Sequence, residues 1–148
     1  SRGDLGGAEA EARLAMRDPL QRVVGAVLLA EAMAGQGRVE EALAAADGAD
    51  AELRAHGLDP VPRLHLVRGD LLGRLERLDE AESEFLTEIR WFPGNLTAYT
   101  NLAVVYYVTG RTDQARATLE RAKRYAQEHG TSLTRLVTRM GGREVDVE

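Results

Sequence analysis

The side chains that could act as nucleophiles, proton carriers or metal ligands are few and scattered. His56 and His129 each precede a glycine at a predicted helix end, where a histidine interacts favourably with the C-terminal dipole of the helix. His65 has no histidine or cysteine partner at ligand spacing, and the chain contains no cysteine at all. Ser83 and Ser132 have no base close by in the sequence, and no phosphate-binding G-x-x-x-x-G-K segment is present. These observations predict a protein that is not an enzyme and holds no metal or cofactor.

The segment from 95 to 124 has the clearest structural pattern. Its apolar residues first recur at helical spacing, Gly110 then interrupts the pattern, and a second apolar stripe follows. The two stripes consist of Tyr99, Leu102, Ala103 and Tyr106, and of Ala115, Leu119 and Ala122. This pattern predicts two helices joined by a tight turn, with small residues where they touch.

The same pattern recurs along the chain. Four alanines mark equivalent positions, namely Ala8, Ala42, Ala81 and Ala115. The first and last intervals are 34 residues long, and the middle interval is 39 because of an extended loop around 55–62. We therefore predict an all-α fold of antiparallel helix pairs. Its units are a half-repeat (3–18), three repeats (19–60, 61–94 and 95–128), a capping helix (131–140) and a tail (141–148), with first helices at 19–34 and 61–74 in the first two repeats.

Composition limits the functional classes. A formal net charge of −5 disfavours nucleic acid as a partner, although residues 111–124 are locally basic and residues 76–88 locally acidic. We expect these two segments to pair on the outer face.

No apolar run reaches the roughly 18 residues of a membrane helix, so no membrane partner is predicted. No targeting signal is visible and the chain opens inside a repeat, so we expect a segment of a longer protein, cytoplasmic by default.

The repeats resemble the tetratricopeptide repeat. Its motif is matched by Tyr99-x2-Leu102-Ala103-x2-Tyr106 followed by Ala115-x3-Leu119. The first repeat matches it with Ala26-x2-Leu29-Ala30-x2-Met33, which predicts that these four residues form the buried stripe of their helix. The middle repeat matches with Gly69-x2-Leu72 and Ala81-x3-Phe85, but Arg68 stands where leucine is usual. The resemblance implies a right-handed α-solenoid whose first helices line a concave groove.

That resemblance also implies where a partner would bind. The predicted groove residues are Glu31, Arg63, Asp70, Arg74, Thr97, Asn101 and Tyr107. Family members that grip chaperone tails use two lysines, two asparagines and an arginine in the groove. This chain has Val27, Glu31, Val67, Thr97 and Asn101 at the matching positions, so recognition of that type is disfavoured.

Two functional hypotheses follow. The first is a protein-interaction module that binds a peptide or a partner subunit in the groove. The second is an accessory or oligomerisation domain of a larger enzyme, because residues 84–111 resemble the repeat-containing tails of some bacterial sulfatases. Exposed repeat ends would also allow the chain to form a homo-oligomer.

Overall fold

The computed structural model describes residues 18–130 together with Gly7, Glu9 and Ala10, which are helical. This part of the chain contains no strand, and the predicted capping helix and tail lie outside it. Its six long helices are α1 (Pro19–Gly35), α2 (Val39–Ala55), α3 (Leu64–Arg74), α4 (Leu78–Trp91), α5 (Leu96–Val108) and α6 (Thr112–Glu128). The all-α prediction is confirmed. None of these helices is both long enough and apolar enough to cross a membrane.

Consecutive helices pack as pairs that stack into a solenoid. The closest packing is within the pairs α1–α2, α3–α4 and α5–α6, and each second helix also contacts the first helix of the next pair. The first helices α1, α3 and α5 additionally contact their neighbours of the same kind, whereas the second helices are not in comparable contact. The first helices therefore line the inner, concave side of the stack.

The turn inside each pair has the same hydrogen bonds in all three repeats. The N–H groups of Arg38, Arg77 and Arg111 reach back to the carbonyls of Met33, Leu72 and Tyr106, which is the Schellman arrangement. That arrangement requires a left-handed residue, and Gly37 and Gly110 supply it with φ of 77° and 79°. In the middle repeat the equivalent residue is Glu76, with φ of 59°. One turn is therefore built with a residue poorly suited to it.

Small residues allow the paired helices to approach closely. Ala30, Ala42 and Ala81 are completely buried, as the repeat pattern predicts. Gly69 lies directly against the ring of Phe85, and a Cβ at this glycine would come within 2.5 Å of that ring. Any larger residue at position 69 would push α3 and α4 apart.

Three local predictions differ from the structure. The helix predicted over 61–74 begins at Leu64, because Arg63 is left-handed, with φ of 75°. Of the four residues predicted to form the buried stripe of α1, Ala30 is buried, but Leu29 is half exposed and Ala26 and Met33 are only partly buried. The other buried residues of α1 are Val23, Val27 and Ala34. Asparagine is a favoured N-cap residue, which predicts that Asn95 caps α5, but its side chain makes no capping bond there. Asp18, in contrast, caps α1 by accepting the Leu20 N–H at 3.0 Å.

The acidic side chains of α4 are directed to several partners rather than to α6 alone. Within the described residues, the only ion pair between segments 76–88 and 111–124 joins Glu82 to Arg111 at 2.6 Å. This contact raises the pKa of Arg111, whose guanidinium also lies 4.7 Å from the centre of the Tyr106 ring. The expected pairing of the two segments is therefore limited to one contact.

Candidate functional site

The concave side contains a groove that crosses all three repeats. A section of about 500 Å³ is bounded by side chains from α1, α3 and α5 and by the residue that precedes α3. Six of the seven predicted groove residues line this section: Glu31, Arg63, Asp70, Arg74, Thr97 and Asn101. Helical spacing places them on one face because the first helices lie side by side. The structure thus brings together residues that are up to 70 positions apart in the chain.

Two ion pairs organise the charges of this groove. Arg63 donates from Nε to Oε1 of Glu31 at 2.6 Å, and this bond joins repeat 2 to repeat 1. Arg74 pairs with Asp70 at 3.0 Å and donates to the carbonyl of Ala34 at 2.9 Å. Both guanidinium groups remain substantially exposed and have further N–H groups to donate. The groove therefore presents arginine donors whose positions are fixed by neighbouring groups.

The position of Arg63 depends on a buried carboxylate. Glu88 of α4 is fully buried, and its Oε1 accepts the backbone N–H of Arg63 at 2.8 Å. The same oxygen accepts a hydrogen bond from Nδ2 of Asn95 at 3.0 Å. Glu88 thus links the residues that precede α3 and α5, two of the helices that line the groove. The sequence alone did not indicate this role.

The groove continues into an apolar section of about 350 Å³ that is bounded by α3, α4 and α5. The two sections share Asp70, Arg74 and Asn101, and are therefore contiguous. Apolar side chains form most of the second lining: Leu78, Phe85, Val104, Val105 and Val108. The first section is accordingly of mixed polarity, and the second section is mainly apolar.

Tyr107, the seventh predicted residue, lines neither section. Its side chain is 69% exposed on α5, three residues after Val104, which does line the apolar section. Residues three apart are neighbours on a helix surface. The ring therefore lies beside the apolar section and is open to solvent.

Comparisons with known proteins agree with the repeat architecture. Two tetratricopeptide repeat family models match the chain, one at residues 74–140 and the other at residues 23–47. The chain belongs to the tetratricopeptide repeat family. Such repeats are generally protein–protein interaction modules and typically non-catalytic scaffolds. A comparison with curated proteins gave no match.

The groove of this tetratricopeptide repeat protein lacks the residues expected of a carboxylate clamp. Val27 and Val67, which occupy two of the matching positions, are buried apolar residues. Glu31, at a third, is acidic and already engaged with Arg63. A free chain terminus would therefore find neither the lysines nor the asparagine pair of that recognition mode.

The middle repeat replaces part of the usual apolar packing with a polar network. Nδ1 of His65 lies 2.6 Å from Oε2 of Glu84, whose other oxygen accepts from Arg68 at 2.9 Å. Arg68 also contacts Asp47 at 3.1 Å and Asp50 at 3.5 Å, both in α2. His65 is almost fully buried and Arg68 and Glu84 are largely so. The arginine found in place of leucine thus connects α2, α3 and α4 by ion pairs.

The remaining histidines occupy helix ends, as predicted. His56 and His129 are the C-cap residues of α2 and α6. Nδ1 of His129 lies 2.9 Å from the Tyr125 carbonyl, and its ring stacks on that of Tyr125 at a centroid distance of 3.9 Å. No group of three or more potential metal ligands occurs in the part of the chain that the structure describes.

Proposed function

We propose that the concave groove binds an extended peptide or a segment of a partner protein. The observation that carries the proposal is the contiguous groove across three repeats, in which six residues of the predicted set meet. Exposed arginine donors in the first section and exposed apolar side chains in the second give a bound segment two kinds of contact.

The proposal is tested with a random peptide display library selected on the whole chain. Retained peptides are then titrated against the double variant Arg63→Glu/Arg74→Glu, for which we expect at least a tenfold loss of affinity. The matched control is Arg116→Glu/Arg124→Glu, which changes two exposed arginines of α6 outside the groove and should leave affinity unchanged. Circular dichroism checks that each variant remains folded.

A charge-swap variant separates recognition from folding. Glu31→Arg/Arg63→Glu retains an ion pair at this position but exchanges the two charges across the groove. Stability should therefore change little, while peptide affinity falls as in the double variant. The groove proposal is wrong if the library yields no peptide, or if the retained peptides bind both groove variants as tightly as the wild-type chain.

A second candidate function is an oligomerisation or domain-docking role for the surface of α1. Leu28 is 60% exposed, whereas Val67, its equivalent in repeat 2, is only 7% exposed. Val67 belongs to a first helix that has α1 as a neighbour, while no first helix precedes α1 within the described residues. Leu20 and Val24 extend this exposed apolar ridge along α1. The link to an enzyme such as a sulfatase rests on the sequence resemblance alone.

Sedimentation velocity tests this second function. If the ridge mediates self-association, the wild-type chain should form a concentration-dependent oligomer, and Val24→Lys/Leu28→Lys should return it to the monomer. A wild-type chain that stays monomeric at high concentration would exclude self-association through this surface.

A further inference from the structure

Gly73 lies in the last turn of α3, next to its final residue Arg74, and lines the apolar section of the groove. A Cβ added at this glycine would meet no atom within 4 Å, so the neighbouring packing does not require glycine there. Its φ is not left-handed either, which means that the backbone would accept any L-residue. This glycine differs from Gly69, one turn earlier, where the Phe85 ring leaves no room for a side chain.

Glycine at a helical position is less favourable than alanine, and Gly73 is helical although it lies in the last turn of α3. Repeats 1 and 3 carry Ala34 and Tyr107 at the position equivalent to Gly73, so the repeat itself tolerates both a small and a large side chain there. In the middle repeat the missing side chain leaves the space open between Leu78, Phe85 and Val104. The local structure therefore gives no reason for glycine at this position. A ligand group that occupies the open space would give such a reason.

The chemistry of the lining specifies that occupant. The charged residues Asp70 and Arg74 lie where the two sections join and pair with each other, so the interior of the apolar section offers no free charge to a charged group. Val104 and Val108 are more than half exposed at its edge and would be covered by a bound apolar group. A volume of about 350 Å³ lies within the roughly 300–1,000 Å³ range of small ligand sites.

We propose that Gly73 keeps open a pocket that receives one large uncharged side chain, aliphatic or aromatic, of the protein segment bound in the groove. This inference rests on the proposed function and specifies its partner as a segment with an apolar anchor residue. Anchors of this kind, buried in a pocket, supply much of the binding energy at protein interfaces. The neighbouring arginines then contact polar groups that flank the anchor.

The pocket is tested directly with single-residue probes. N-acetyl-leucinamide and N-acetyl-tryptophanamide are titrated into the isotopically labelled chain, with N-acetylglycinamide as the control probe. We expect saturable shifts of the Val104, Val105 and Val108 amide resonances, with Kd on the order of 1 mM. The glycine derivative should cause no comparable shifts.

Gly73→Leu fills the space, and should abolish the probe shifts and weaken groove-binding peptides at least tenfold. Its Tm should rise by about 2–4 °C, because leucine favours the helix and meets no obstacle. Gly25→Ala and Gly48→Ala are matched controls, since both glycines lie in helix interiors with free space and line neither groove section. These controls should raise Tm without affecting either probes or peptides.

Each contrary result has its own meaning. If peptides bind the groove but Gly73→Leu leaves their affinity unchanged, the anchor pocket is wrong and the groove function stands. A lower Tm for Gly73→Leu would show that the chain itself already fills the space, and loss of a wild-type dimer in this variant would show that a second copy does. Either outcome overturns the proposal. Absence of any bound peptide instead contradicts the groove function.

Discussion

The buried carboxylate of Glu88 accepts the backbone N–H of Arg63 at 2.8 Å, across 25 positions of the chain. Arg63 has a left-handed backbone conformation and immediately precedes α3. Its side chain lies in the groove and donates to Glu31. A residue of the outer helix α4 therefore fixes the backbone from which a groove arginine projects. Its second partner, Asn95, precedes the helix that carries Thr97 and Asn101.

Glu88→Ala should reduce the free energy of unfolding by about 2–4 kcal/mol, since two partly buried donors lose their acceptor and a cavity remains. Glu88→Gln retains an accepting oxygen, and its loss should be only about 1 kcal/mol. Urea denaturation measures both. The assignment of Glu88 fails if the alanine variant is as stable as the wild type, or if both variants lose the same amount.

Much of this arrangement follows from local sequence signals. Asp18-Pro19 predicts the start of α1, the glycines at 37 and 110 predict two of the turns, and the alanine spacing predicts the paired helices. The resemblance to the tetratricopeptide repeat implies which face of each first helix points inward, and six of the residues predicted on that face line the groove.

The features that the sequence did not reveal depend on contacts between distant residues. The predicted start of α3 is three positions too early, because Arg63 adopts a left-handed conformation and donates its N–H to Glu88. Leu29 matches the repeat motif but is half exposed. The motif identifies a position within the repeat, whereas burial also requires a neighbouring element that covers the side chain. The acidic residues of α4 were expected to meet α6, yet Glu84 turns towards α3.

Glu76→Gly should stabilise the middle turn. The left-handed conformation is unfavourable for residues with a Cβ by roughly 1–2 kcal/mol, and the greater freedom of glycine in the unfolded chain offsets part of the gain. We expect a net increase of about 0.5–1 kcal/mol in the free energy of unfolding. Glu76→Ala is the matched control, because it removes the charge and keeps the Cβ. Equal stability of the two variants would contradict backbone strain at this position.

The polar network should behave as a unit. Removing Arg68 leaves Glu84 and Asp50 without their shared cation in a largely buried site, so Arg68→Met should lose about 2–4 kcal/mol. Glu84→Met should be similarly destabilising, but the double variant should lose less than the sum, with a coupling energy of about 1–3 kcal/mol. Denaturation of the four proteins in this cycle measures the coupling. Simple additivity would mean that the two residues act independently.

Stability should fall in alkaline solution because of two tyrosines. Burial raises the pKa of Tyr99 and of Tyr106, with Arg121 opposing the shift at Tyr99 and Glu82 reinforcing it at Tyr106. The unfolded chain therefore loses these protons first, so the stabilisation is complete below about pH 10 and is lost as the pH rises above it. Urea midpoints between pH 8 and 11 should decline less steeply in Tyr99→Phe/Tyr106→Phe. An unchanged decline would assign the effect to other groups.

Tyr107 separates binding from folding most cleanly. Because its side chain is largely exposed, Tyr107→Ala should change the free energy of unfolding by less than about 0.5 kcal/mol. Peptides selected on the groove should nevertheless bind about tenfold more weakly, since an exposed aromatic ring beside an apolar section offers a large contact area at low entropic cost. Tyr107→Phe preserves the ring and should retain most of the affinity. If both variants bind like the wild type, the contact surface ends at Val104 and Val108 and does not include the ring.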